Sequence, residues 1–336
     1  MFRSLIPLLA SPGATLAGFQ PFPPHIFSPA STPAEQIYHL SIMVLIVCAV
    51  IFAVVGGLLT YSVIKFRRRS NDDRREPAQV YGSTQIELAW TVIPLLIVVV
   101  LFLTTARVIH GIQDAPEPAG AINVTVIGHQ YWWEFRYPQY GVVTANELWV
   151  PVSDSNQPTP TFMTLLSADV GHSFWVPELA GKTHLIPNQV NHMWIDPQRT
   201  GVFLGQCNLY CGVQHAHMLL RVDVATRADF DRWIREQQMP AVEDPAVAAG
   251  RQVFETTACV NCHTIRGTIA NGRFGPDLTH FMSRETIGAG VLPNTPENLR
   301  LWVQDPEAVK PGCLMPSMNM TPQQLTELVS YLESLR

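Results

Sequence analysis

The sequence predicts a multi-domain membrane protein: a two-helix transmembrane hairpin, then an all-β sandwich, then a small all-α domain. Three observations carry that prediction. Two uncharged stretches, 37–64 and 88–106, each reach the roughly 20 apolar residues a spanning helix needs. From about 121 to 224, short runs rich in Val, Ile, Phe, Trp and Tyr alternate with Pro, Gly and Asn breaks, the pattern of antiparallel strands in a sandwich or barrel. Beyond about 245 the apolar period turns helical and ends in "TPQQLTELVSYLESLR", where Leu325, Leu328, Val329 and Leu332 fall on one face. Composition agrees, with 336 residues that are 47% hydrophobic and only 15% charged. A formal net charge of −5 excludes a general nucleic-acid binder, which needs a basic face toward phosphate.

The elements follow in order. Residues 1–35 form an N-terminal segment opening "MFRSLIPLLASPGATLAG", with one Arg, a short apolar run and small residues after it: the outline of a cleavable secretory signal, or a simple tail. The first span is expected over 36–66 and the second over 86–110. A pair of buried core helices would show a polar stripe, and neither run has one. Pro94 lies inside the second span, which membrane helices tolerate. Between them "KFRRRSNDDRRE" carries Lys65, Arg67, Arg68, Arg69, Arg74 and Arg75, so the positive-inside rule puts this loop in the cytoplasm and everything after about His110 outside. The β domain is expected over 118–238 and closes with a helix from Thr226, where Asp229 completes a cap-like pair and Phe230, Trp233 and Ile234 share a face. A Pro-containing linker is expected over 239–248, and the helical domain over 249–336.

Two motifs carry chemistry. "GQCNLYCGVQHAHM", 205–218, holds two cysteines, two histidines and a methionine. Thiolate, imidazole and thioether are the ligand types of a blue-copper site on a β-sandwich loop, but here there is one thiolate too many. Two cysteines four residues apart can bridge two coppers, which calls for a second histidine from an earlier strand; His172 in "SADVGHSFWVP" is placed for it. The loop alone leaves open a structural zinc on Cys207, Cys211 and two local histidines, or a Cys207–Cys211 disulfide. "ACVNCHTI" contains Cys259, Cys262 and His263, the C-x-x-C-H pattern in which two thiols add to haem vinyl groups and the imidazole becomes the proximal iron ligand. A redox dithiol is the competitor. The helical surroundings, "FGPDL" and the methionine of "KPGCLMPS" favour haem.

Taken together, "GHQYWWEFRYP", "SADVGHSFWVP" and "GVFLGQCNLYCGVQHAHM", behind a hairpin carrying "IELAWTVIP", resemble subunit II of the haem-copper cytochrome c oxidases in content and order over about 36–237. The stretch 245–336 resembles a class I cytochrome c domain. The resemblance implies a cupredoxin-like domain with a binuclear copper centre, CuA, bound by His172, Cys207, Cys211, His215, Met218 and the backbone carbonyl of Leu209. It also implies a covalent haem c on Cys259 and Cys262 with His263 and Met315 as axial ligands. Met282, Met318 and Met320 are then packing residues, Cys48 and Cys313 unligated, and His184, His192 and His217 ordinary polar positions.

Two departures stand out. The family usually has Glu where this chain has Leu209, and that carboxylate reaches a magnesium or manganese ion at the border with subunit I; leucine has no oxygen to offer. Where many relatives place a surface Trp that accepts electrons from soluble cytochrome c, this chain has Tyr131, followed by Trp132 and Trp133. Some of these rings pack the sandwich, and an altered docking ring suits a donor that does not diffuse. Glu87, in "E-x-x-W-T", is either a snorkelling interfacial carboxylate or, as the resemblance implies, the mouth of a proton path into subunit I.

The implied function is electron transfer within a proton-pumping terminal oxidase: from the chain's own haem c to CuA, then to haem in subunit I, where oxygen is reduced. No bond-making chemistry is expected in this chain. Expected partners are subunits I and III, membrane lipid, and an upstream donor that is either cytochrome c or a bc1-like or alternative complex. The expected location is the inner (plasma) membrane of a prokaryote, crossed twice, with both redox domains on the outer side. A nitric oxide or nitrous oxide reductase component and a stand-alone zinc-binding module are the rival readings. A quinol oxidase subunit is disfavoured because that branch lacks the copper ligands.

Overall fold

Two apolar helices form the hairpin, α1 (Thr32–Lys65) and α2 (Thr84–Gln113). The computed structural model describes residues 25–67, 79–113, 117, 120–154 and 158–336; the proposed signal segment before residue 25 and Arg68, Arg69, Arg74 and Arg75 lie outside these. Neither apolar window is buried against the rest of the molecule, and Phe52 stands 79% exposed. A helix apolar all round and unburied is one that faces lipid. The hydroxyls of Ser41, Thr91 and Thr104 donate to the carbonyls of Ile37, Glu87 and Val100, so these polar groups are satisfied within their own helices.

The hairpin is tied to the domain that follows it. Thr32 Oγ1 donates to Asp196 Oδ2 at 2.8 Å, and the Asp196 amide donates to Ser31 Oγ at 2.8 Å. At the end of α2, Trp194 Nε1 donates to the carbonyl of Ile112 at 2.7 Å.

Ten strands then build a sandwich of two five-stranded sheets. They are β1 (Ile122–His129), β2 (Trp132–Tyr137), β3 (Val142–Ala145), β4 (Glu147–Pro151), β5 (Thr161–Ser167), β6 (His172–Trp175), β7 (Thr183–Leu185), β8 (Asn191–Ile195), β9 (Gly201–Cys207) and β10 (Leu219–Ala225). One sheet runs β3-β2-β1-β5-β8 and the other β4-β10-β9-β6-β7. The sequence reading of uniformly antiparallel strands needs correction: β1 pairs with β5 and β4 with β10 in parallel. Both parallel pairs join strands that are far apart in sequence and reached by crossing between sheets, where no tight hairpin forces an antiparallel return. Along β10 the period of two puts Leu220, Val222 and Val224 inside and leaves Arg221 and Asp223 on the outer face. Trp133, Phe135, Tyr137, Leu148, Leu165 and Phe174 fill the core.

Helix α3 (Arg227–Gln238) closes the sandwich. Thr226 caps it by accepting from the Asp229 amide, and Phe230, Trp233 and Ile234 are buried, as the spacing predicts. Trp233 stacks on Trp149 with ring centres 5.4 Å apart.

The expected linker is pinned rather than loose. The Arg266 side chain donates to the carbonyls of Gln237, Gln238 and Met239, and His280 Nε2 lies 2.8 Å from the Met239 carbonyl. The last domain contains α4 (Ala248–Thr256), α5 (Cys259–Cys262), α6 (Pro296–Gln304), α7 (Pro306–Val309) and α8 (Pro322–Ser334) around a core that includes Phe254, Ile265, Leu299, Leu328 and Leu332. Thr321 and Gln324 form a capping box on α8. A two-stranded ladder, β11 (Thr286–Ile287) with β12 (Leu292–Pro293), interrupts the helices. Strands of two residues leave no period for a sequence reading to find.

Candidate metal and haem sites

The copper-type loop hangs between two paired strands. β9 ends at Cys207 and β10 starts at Leu219, and the Cys207 amide donates to the Met218 carbonyl at 3.0 Å, which closes the base of the loop. β6 pairs with β9 at Phe174 opposite Cys207, so His172 arrives beside the same loop. The result is a chain of soft donors. Cys207 Sγ lies 3.9 Å from His172 Nδ1, 3.9 Å from Cys211 Sγ and 3.2 Å from the Leu209 carbonyl. Cys211 Sγ in turn lies 3.7 Å from His215 Nδ1 and 3.8 Å from Met218 Sδ. His172, Cys207, Cys211 and Met218 are all buried.

At 3.9 Å the two sulfurs are not a disulfide, which needs about 2.05 Å, and all six cysteines are free. The protonation of one thiol depends on that of the other. The Cys207 thiol is held far below its ordinary range, first by the neighbouring Cys211 thiol and, against burial, by His172 and the Leu209 region; Cys211 is pushed up, first by Cys207 and then by burial. Two thiolates this close repel in a dry setting, so both ionise only with cationic charge between them. Two sulfurs flanked by two imidazoles, a thioether and a carbonyl suit soft, thiophilic copper.

A second layer holds these donors. Asp169 Oδ1 lies 2.7 Å from His172 Nε2, which turns Nδ1 toward Cys207. Burial works to raise the Asp169 carboxyl, but hydrogen bonds from His172 and from the amides of Gln130 and Val170 hold it below its usual range. Gly128 on β1 backs the imidazole: a Cβ there would sit 2.7 Å from His172 Cδ2. Trp133 lies beneath, edge-on to His172, with its Nε1 3.4 Å from the Met218 carbonyl.

Cys259, Cys262, His263 and Met315 all line one cleft, whose empty space counted out to its mouth is about 1370 Å³. His263 Nδ1 lies 2.8 Å from the Pro276 carbonyl, which fixes the tautomer that leaves Nε2 free as a ligand. Desolvation pulls this imidazole below its ordinary pKa and keeps it neutral. Gly275 makes room for the ring, since a Cβ there would lie 2.7 Å from His263 Cε1. Burial pushes the Cys259 thiol up. The cleft, its paired thiols and the oriented histidine fit a covalently held haem. Met318 and Met320 also line the cleft, and Met282 packs on the helical core.

The same cleft is walled on its other side by His129, Tyr131 and Trp132 of the sandwich. Tyr131 is buried, Trp132 stacks on His129 at 4.2 Å, and Trp133 lies wholly in the core. None of the three offers a bare docking face. Glu147 seals the seam below: its carboxylate accepts from the Glu285 and Thr286 amides at 2.9 Å and from Thr286 Oγ1 at 3.0 Å. The Leu219 amide donates to the Ala289 carbonyl at 3.1 Å, and Gln214 Nε2 to the Pro311 carbonyl at 2.6 Å. Glu87 is exposed in the first turn of α2. Sequence reasoning missed Asp169, Gly128, Pro276, Glu147 and Lys310. Gly128, Asp169, Pro276 and Lys310 stood inside the quoted motifs, though nothing local marked Lys310 as buried, and Glu147 carried no local pattern.

These features define a class: a membrane-anchored protein with a soft-metal loop on a β-sandwich and a C-x-x-C-H haem-type domain packed against it. Comparison with known proteins narrows it. Residues 22–108 match the family described as cytochrome c oxidase subunit II, transmembrane domain, residues 122–225 the periplasmic domain of the same subunit, and residues 247–336 cytochrome c. The cytochrome c oxidase subunit 2 of Alkalihalophilus pseudofirmus is 36% identical, over 92% of this chain and 90% of that one. The corresponding subunit of a Bacillus strain is 36% identical over 81% of this chain and 80% of its own. A crystal structure of the periplasmic domain of subunit II of cytochrome oxidase from Bradyrhizobium japonicum matches with 26% identity and a TM-score of 0.33, covering 36% of this chain and 96% of that one. The chain belongs to the cytochrome c oxidase subunit 2 family and carries a C-terminal cytochrome c domain. It is therefore a subunit of an oxidoreductase complex; copper goes with its subunit II domain and haem with its cytochrome c domain.

Proposed function

We propose that this chain relays electrons from an upstream donor through a covalent haem c to a binuclear CuA centre and on to haem in subunit I of a haem-copper terminal oxidase. The single observation that supports this most is the shared wall. Tyr131 and Trp132 line the haem-type cleft, while the next residue, Trp133, reaches the Met218 carbonyl on the copper loop. In this reading a haem held in the cleft would supply a one-electron iron couple, and copper held on the loop would supply a second one-electron centre. Cys259 and Cys262 would hold the haem covalently, and His263 and Met315 would be its side-chain ligands. Cys207 and Cys211 would hold the copper together with His172, His215, Met218 and the Leu209 carbonyl. Burial and fixed hydrogen bonds keep both donor sets from rearranging as charge moves.

The wider reading follows from the family. Oxygen is reduced in subunit I, with proton pumping, and Glu87 stands at the inner mouth of a proton path into that subunit. Subunit III completes the complex, and the donor is cytochrome c or a membrane complex. The chain crosses the plasma membrane of a prokaryote twice, with both redox domains outside. With Leu209 in place of the family's Glu, this chain contributes no carboxylate there to a magnesium or manganese ion.

Stopped-flow reduction of the assembled oxidase tests the relay. Haem c should reduce first and copper second, and Met315→Ala should slow copper reduction. Copper that accepts electrons equally fast with haem c disabled would refute it.

A further inference from the structure

Lys310 is 3% exposed, and its Nζ donates to three backbone carbonyls: Tyr131 at 2.9 Å, His217 at 2.8 Å and Gly288 at 2.8 Å. Tyr131 walls the haem-type cleft. His217 lies on the copper loop between His215 and Met218. Gly288 sits in the turn between β11 and β12 of the helical domain. An ammonium has three N–H donors and no acceptor, so these carbonyls use it completely. Burial pulls this ammonium down to about 7; the carbonyls work the other way, because a neutral amine has only two N–H bonds to give them. A lysine is rarely buried without a carboxylate, and among its hydrogen-bond partners here there is none.

We propose that Lys310 is a positioning residue for electron transfer between the two redox sites, holding the cytochrome domain at one fixed place against the copper loop. The inference rests on the reading that electrons pass from haem c to CuA. In that step one electron leaves the ferrous iron and arrives on the oxidised copper pair, with no bond made or broken and no proton required. Its rate falls steeply with separation, so a contact that locks both sites to one point sets it. The neighbourhood is built for a close fit: a Cβ on Gly312 would stand 2.4 Å from Val213 Cγ2 of the copper loop. The cytochrome domain is thus docked rather than swinging on its linker. The ammonium has a second effect, since a positive charge beside the loop favours the electron-rich state of the copper centre.

The test uses the full chain in the assembled oxidase with two variants. Lys310→Met should keep haem and copper stoichiometry, slow haem-to-copper transfer at least tenfold, lower the copper potential, and speed hydrogen exchange of the Leu219 amide at least tenfold. Lys310→Arg keeps the charge, but its planar fork cannot converge on three carbonyls. It should hold the copper potential while still slowing transfer and loosening the seam, and it decides the matter if the Met variant does not fold. Transfer and exchange at wild-type rates in either folded variant would overturn the proposal. Absence of haem-to-copper transfer in the wild-type chain would instead refute the relay itself, and unchanged exchange in the variants would then still count against the lock.

Discussion

Replacing Asp223 by Asn should stabilise this protein at neutral pH and do nothing at acid pH. Asp223 lies on the outer face of β10, and its Oδ2 is buried with no hydrogen-bond partner among the described residues. Burial, then the negative charges of Glu147 and Glu285, push its carboxyl from 3.8 up to about 7, with Arg221 opposing. The native chain therefore holds this proton more tightly than the unfolded chain does. As pH rises from about 4 to about 7 the unfolded state loses its proton first, so native stability drains away across that window and the loss is complete above it. About three units at about 1.4 kcal/mol each bound the effect at ~4 kcal/mol. Asp223→Asn cannot ionise and escapes the loss. Urea unfolding of the detergent-solubilised chain, followed by tryptophan fluorescence at several values between about pH 4 and about pH 8, should show the variant gaining on wild type as pH rises. A gap that is the same at both ends, or one that shrinks toward alkaline pH, would show that Asp223 does not hold its proton more tightly in the folded chain.

Three further substitutions probe the sites and the core. Cys211→Ser removes one bridging sulfur and should abolish the mixed-valence copper spectrum while covalent haem persists, as read by electron paramagnetic resonance and a haem-stained denaturing gel. Met218→Leu should keep both coppers and shift their potential, because a weak thioether tunes a copper site more than it holds it; loss of copper on metal analysis would contradict this. Trp233→Ala empties a buried site between Trp149, Tyr137 and Phe230 and should cost about 3–5 kcal/mol of β-domain stability in urea titration.

What the sequence made legible divides along physical lines. The spans were readable from long uncharged apolar runs, and α3 and α8 because each rests on a local apolar period with a cap, as Thr226 and Thr321 show. The proposed donor residues stood out because metal and haem chemistry demand particular side chains at short spacing, and Cys207 with Cys211, and Cys259 with Cys262, sit within single loops or turns. The parallel pairs β1–β5 and β4–β10 were not, since strand direction depends on a crossover that leaves no local mark. Glu147 and Lys310 were opaque for a different reason. In sequence each is an ordinary charged residue, and only docking buries them, Glu147 against the amides of Glu285 and Thr286 and Lys310 against carbonyls from both domains. The same docking covers Tyr131, which stands where the resemblance would have put a surface Trp.

In the proposed relay this one chain holds a bridged copper pair and a covalent haem. Metal analysis of the purified full chain, combined with electron paramagnetic resonance, tests it most directly. Two coppers for each covalent haem, and the spectrum of one electron shared over both copper ions, are expected. One zinc and no copper, or a single copper with an unshared spectrum, would contradict it.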